Sequence, residues 1–359
     1  MLLRPAATSQ TSQPHGRRAT ATRLVRVIAR ALLALLPALA GSAQAALQAT
    51  ELGVVVNDTD PLSVKVGAYY QQARGIPPEQ VIHLRFDAQR SALPPDEFAR
   101  LRAAILAVTP ARVQAYALTW ARPYRVDCMS ITSALTFGFD RAWCSHASPC
   151  SMTRDSPLFD YNTEAPFRDL GIRPAMAIAA TSFAEAKALI DRGVRSDGTR
   201  PHGSAYLLVT DDRDRSSARI PAMLRARRLQ VPGLAIQMLR ANAVVSRSDV
   251  LFYETGHAVV PKLYSLTFLP GAVADHLTSF GGMLTDSSQM SALRWLEAGA
   301  TGSYGTVREP CAFRQKFPDP EVLIRRYTQG ETLIEAYWKS VSAPGEGIFV
   351  GEPLARPWR

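Results

Sequence analysis

The chain has 359 residues, 47% of them hydrophobic, with four cysteines and a formal net charge of +10. This composition excludes an intrinsically disordered chain and a disulfide-dense scaffold, and it suits one large domain or two ordinary ones. Most of the excess charge is local. The first 45 residues carry six arginines and no acid, so the remainder is only +4, too mild to argue for nucleic acid as a partner.

Those first residues read as an export signal. Arg4, Arg17, Arg18, Arg23, Arg26 and Arg30 precede an apolar run at 31–40, and Ala43-Gln44-Ala45 forms an A-x-A cleavage pattern. The run is shorter than the roughly 20 residues of a spanning helix, and no later run is long and apolar enough to cross a bilayer. The expectation is a signal peptide over 1–45, a single α/β domain over 46–359, no stable membrane span after signal removal, and a periplasmic or extracellular location. In an oxidising compartment Cys128, Cys144, Cys150 and Cys311 can pair in three ways. Cys144 and Cys150 flank a short loop and are the favoured pair, which leaves Cys128 to Cys311. A zinc site from these cysteines and His146 matches no standard ligand spacing.

The elements then alternate. LGVVV (52–56) is a strand; Asp60 and Pro61 start a helix that Gly75 stops; VIHLRF (81–86) is a second strand. A helix from Pro95 and a strand AYALTW (115–120) follow. The spacing predicts a mostly parallel sheet with helices on both faces, caspase-like or flavodoxin-like in class. Residues 123–173 break the rhythm and hold three of the cysteines, which reads as an insertion over the sheet's edge or over the site. The alternation resumes with PAMAIAA (174–180), a helix capped by Ser182 with Glu185 and ending near Gly193, and AYLLVT (205–210). The helical run that follows carries Arg219, Arg225, Arg227 and Arg228, expected as a solvated face. LAIQML (234–239) is a strand. Apolar runs ending at His257 and at Thr278-Ser279 come next, then a helix near 289–297, the small-residue strand GATGSYGTV, helices at 320–328 and 332–340, and a last strand-like run from Gly347.

In open α/β sheets the crevice beyond the carboxyl ends of the strands hosts the chemistry. His257, in YETGH, can act as a general base or acid there. Ser279, in SFGGML, can act as a nucleophile beside backbone N–H donors. Both residue types also occur at strand ends as plain packing and turn residues. His276 reads as a core or supporting histidine, with Asp275 on the opposite face of the strand. Asp211, Asp212 and Asp214 can attract a divalent cation but lack the glycine and glutamate of an EF-hand loop. No P-loop, dinucleotide fingerprint or H-E-x-x-H is present, so no cofactor and no metal are expected.

Four stretches resemble a bacterial family of exported proteins of unassigned activity, found in genomes that carry an exosortase sorting system. They are GVVVNDTDPLSVKVGAYYQQARGIPPEQVIHL, SITSALTFGFD, AGATGSYGTVREPC and GEPLARPW. The second half also resembles the gingipain-type cysteine peptidases, which have a caspase-like fold. PAMAIAATSFAEAKALI, AYLLVTDD, YETGH and AGATGSYGTV follow the order of that family's elements, and Gly351-Glu352-Pro353-Leu354 resembles its closing G-D-P. The resemblance places His257 at the catalytic histidine, with Ala258 where a second glycine is usual. It places Ser279 where the family has its cysteine. A hydroxyl has far less anion character than a thiol, so the resemblance implies a peptidase-like scaffold without its nucleophile, acting on a peptide or exported protein in binding or envelope protein processing. The alternative is a hydrolase using Ser279 with His257.

Overall fold

The computed structural model describes residues 46–145 and 150–359. The expected signal peptide and His146 lie outside them. β1 (Leu52–Asn57) leads into α1 (Pro61–Arg74), where the Asp60 carboxylate accepts from the Leu62 N–H, Pro61 takes the first helical position, and Gly75 closes the helix in the left-handed region. β2 (Val81–Leu84), the short β3 (Ala92–Leu93), α2 (Pro95–Val108) and β4 (Ala115–Leu118) follow. The insertion supplies β5 (Arg125–Val126), β6 (Met129–Ser130), α3 (Ile131–Phe137) and α4 (Pro166–Leu170). Next come β7 (Ala175–Ala177), α5 (Phe183–Ser196), β8 (Gly203–Val209), α6 (Arg213–Ser216), α7 (Ile220–Ala226) and β9 (Leu234–Arg240). The chain finishes with β10 (Val250–Gly256), β11 (Phe268–Leu277), α8 (Leu293–Ala298), β12 (Gly302–Thr306), α9 (Pro320–Thr328), α10 (Leu333–Ser340) and β13 (Gly347–Gly351).

Ten strands form one sheet in the order β2-β1-β4-β7-β13-β12-β11-β10-β8-β9, and β3, β5 and β6 form a small second sheet. Every pairing in the large sheet is parallel except β12 with β13. The mostly parallel α/β class read from the sequence is therefore correct. The antiparallel seam has a consequence for the site. The strands from β2 to β13 run one way and those from β12 to β9 the other, so the carboxyl ends of the two halves lie at opposite edges.

Both faces of the sheet are covered, as parallel sheets require. Tyr206, Leu208, Tyr253, Ala272 and Ala274 belong to one buried apolar cluster, whereas their chain neighbours Ala205, Leu207, Phe252 and Val273 belong to the other. That alternation is the period of two of a pleated strand buried on both sides.

Two expectations are corrected, and the place of the insertion is narrowed. The disulfides are Cys128–Cys144 and Cys150–Cys311, with Cα separations of 5.9 and 5.8 Å. The turn at Arg141–Trp143, capped by Asp140, stacks Trp143 on Phe137 and folds Cys144 back onto Cys128, which frees Cys150 for Cys311. The insertion, expected over the sheet's edge or over the site, packs at the end of β13 that pairs with Thr306: the Ser130 hydroxyl donates to the carbonyl of Gly347, the first residue of β13, and the Ser133 hydroxyl to the Pro344 carbonyl just before it. Gly193 does not end its helix. α5 continues to Ser196, and a Cβ at Gly193 would lie 2.5 Å from a carboxylate oxygen of Glu352, so the glycine marks close packing rather than a stop.

Candidate functional site

The carboxyl ends of β8, β10, β11 and β12 share one edge. β10 and β11 pair Thr255 with His276 and Gly256 with Leu277, so His257 and Thr278-Ser279 leave adjacent strands side by side. The Thr210 hydroxyl, at the end of β8, donates to the Gly256 carbonyl at 2.8 Å. Beside this edge lies an open cleft of about 790 Å³ lined by Thr210, Asp211, Arg213, Arg240 and Asn242, among others. The structure thus brings the two candidate residues to neighbouring strand ends next to a polar cleft.

Their hydrogen bonds lead elsewhere. His257 is half-buried, and its Nε2–H donates to the Asn242 carbonyl at 3.1 Å. The Ser279 hydroxyl makes no hydrogen bond among the described residues, and none joins it to His257. The Ser279 carbonyl accepts from the Thr306 hydroxyl at 3.0 Å. Two of the nearby N–H groups are also engaged: Phe280 N–H donates to Gln289 Oε1 at 2.8 Å and Gly282 N–H to the Thr306 carbonyl at 2.9 Å. A Cβ at Gly282 would lie 2.5 Å from the Gly305 carbonyl oxygen. Gly282 therefore lets this loop lie flat on the β12 backbone.

His276 supports the edge from below. It is buried, its Nδ1 accepts from Trp295 Nε1–H at 2.9 Å, and its Nε2–H donates to the Met290 carbonyl at 3.0 Å. Met290 N–H in turn donates to the Ala258 carbonyl, which links this histidine to the loop after His257. Burial pushes the His276 imidazole down from 6.5 to about 4. The unfolded chain then binds a proton that the folded chain refuses, so stability is lost as pH falls from 6.5 towards 4. We expect about 3 kcal/mol to be lost through this group over that window. Urea titrations at pH 7 and pH 4 on the wild type and His276→Gln check it. The variant is expected to lose about 3 kcal/mol less than the wild type; equal losses would refute the assignment.

Under the same strands lies a feature that sequence reasoning missed. Arg219, expected on a solvated face, is 2% exposed. Its guanidinium bridges Asp275, at 2.6 Å, and Glu254, which face each other in register on β11 and β10. Desolvation raises both carboxyl groups above their ordinary range, against the pull of Arg219. The matched parity of Glu254 and Asp275 on neighbouring strand runs was the available signal.

Two of the three acids after β8 are engaged too. Asp212 caps α6 through the Arg215 N–H and pairs with the Arg215 guanidinium at 2.8 Å, and Asp211 accepts from Asn242 Nδ2 at 2.9 Å. Among the described residues no cluster of three His, Cys, Asp or Glu side chains is placed to hold a metal ion.

No protein-family model matches the chain, and no curated protein gives a significant match. A solved structure described as "Structure of Protease" is similar at 9% identity and a TM-score of 0.47, over 87% of this chain and 79% of that one. A likeness at that level carries no argument about activity.

Proposed function

We propose that this chain is a peptidase-like scaffold that binds an exported peptide or protein segment without cleaving it, in envelope or surface-protein processing. The observation that carries the reading is the strand-end pair. His257 donates its Nε2–H to Asn242 and makes no hydrogen bond to Ser279, while Ser279 stands where the resembling peptidases hold a thiol. A hydroxyl with no base in contact is a poor nucleophile. The adjoining cleft offers Arg213 and Arg240 and the polar Thr210 and Asn242, which suits an extended segment carrying acidic groups. Export agrees with the two disulfides, and no helix of the described residues is long and apolar enough to cross a membrane.

The test is incubation of the purified protein with a serine-directed phosphonate, followed by peptide mapping. No adduct at Ser279 is the expected result. An adduct that disappears in His257→Ala would overturn the binding role in favour of a Ser279–His257 hydrolase. In parallel, acidic peptides selected on the immobilised protein are expected to lose binding in Arg240→Glu; unchanged binding would remove the cleft from the proposal.

A further inference from the structure

A second cavity, of about 230 Å³, lies on the face of the sheet that carries α7 and shares no lining residue with the strand-end cleft. Its wall combines the Phe159 and Phe317 rings with three arginines: Arg219, Arg225 and Arg314. These guanidinium groups differ in how far they are satisfied. Arg225 is paired with Asp319 at 2.5 Å. Arg219 is paired through its two terminal nitrogens, but its buried Nε has no hydrogen-bond partner among the described residues. Arg314 is exposed and has no ion-pair or hydrogen-bond partner for its side chain among the described residues. The side-chain amide of Gln315, also in the wall, makes no hydrogen bond among them either. The cavity therefore presents unengaged donors beside an aromatic surface. An orphaned buried donor in a cavity wall is costly unless something accepts from it.

We propose that this cavity binds a small monocarboxylate with an aromatic or aliphatic body. A carboxylate fits the planar donor fork of arginine and can accept from the amide of Gln315. The apolar body lies against Phe159 and Phe317. The charge balance selects one negative charge. Arg225 is matched by Asp319, and Arg219 by Glu254 and Asp275. That leaves Arg314 as the unpaired cation of the wall, so one negative charge on the ligand meets it. A dianion such as a phosphate or phosphonate would overshoot.

Benzoate, phenylphosphonate and benzylamine are the probes, each titrated into the full chain and followed by calorimetry and ligand-observed NMR. Benzoate is expected to bind, weakly as so small a ligand must. Arg314→Gln is expected to weaken it about tenfold, the scale of one lost charge-assisted hydrogen bond. Arg227→Gln, an exposed arginine outside the cavity wall, is expected to leave it unchanged. Because Arg314 is exposed and outside the core, its replacement separates lost binding from lost folding. No benzoate binding, or equal weakening by the two substitutions, would overturn the site. Tighter binding of phenylphosphonate or of benzylamine would overturn the monocarboxylate assignment.

Discussion

Arg219→Met is expected to destabilise the protein by about 3–5 kcal/mol, the cost of stranding buried charge by removing its partner. Glu254 and Asp275 are 1% and 0% exposed and lie in register on adjacent strands, so neither carboxyl group has water to solvate its charge. In the wild type, Arg219 is the cation that both carboxyl groups contact. Without it, both must be protonated in the fold. A carboxyl group with a raised folded pKa contributes stability below its unfolded pKa and loses it as pH rises through the folded value. The deficit of Arg219→Met should therefore be larger at pH 8 than at pH 5. Denaturant titrations at both values check this. A variant within about 1 kcal/mol of wild type at pH 8 would show that the cluster is not what balances the core there.

The same cluster makes a second point about Arg219→Met. Arg219 Nε, Glu254 Oε1 and Asp275 Oδ2 have no hydrogen-bond partner among the described residues, so the network is only partly satisfied. Partly satisfied buried networks contribute little net stability, although breaking them is expensive. Adding Glu254→Gln and Asp275→Asn to Arg219→Met should then recover a large share of the loss. Such recovery would separate the cost of unpaired charge from lost packing of a large side chain.

Features set by near neighbours in the chain were legible beforehand. The Asp60-Pro61 start of α1 and the Ser182–Glu185 capping box of α5 each involve groups at most three residues apart. What failed were readings decided by distant groups. Arg219 looked solvated because its counter-charges stand 35 and 56 residues away on other strands. Gly193 looked like a helix stop because nothing near it announces Glu352. Strand direction was equally opaque: the seam between β12 and β13 depends on α9 and α10 returning the chain to the middle of the sheet, and a run of apolar residues carries no direction. At the site, the adjacency of His257 and Ser279 followed from two successive strands ending in polar residues. The Asn242 carbonyl that accepts from the His257 Nε2–H comes from a different loop, and no local pattern points to it.

The Cys150–Cys311 bridge should matter more than Cys128–Cys144, although the two have nearly the same Cα spacing. The argument concerns the unfolded chain. A crosslink removes closure entropy that grows with the logarithm of the loop, and these loops span 161 and 16 residues. That relation gives about 5 kcal/mol for the long loop and about 3 kcal/mol for the short one. Cys150→Ser with Cys311→Ser is therefore expected to lower stability by about 2 kcal/mol more than Cys128→Ser with Cys144→Ser. The folded state adds to the difference. Cys311 begins the segment that carries Arg314 and the buried Lys316, whose ammonium donates to Ser145 Oγ and to Glu346 Oε2, and Ser145 belongs to the insertion. Releasing Cys311 loosens the segment that holds this buried ion pair, whereas Cys144 remains packed between the Trp143 stack and the Ser145 contacts after its bridge is cut. Guanidinium titrations of the two double variants decide the order. Equal losses, or a larger loss for the Cys128–Cys144 pair, would show that packing around the insertion rather than chain entropy sets the contribution of these bridges.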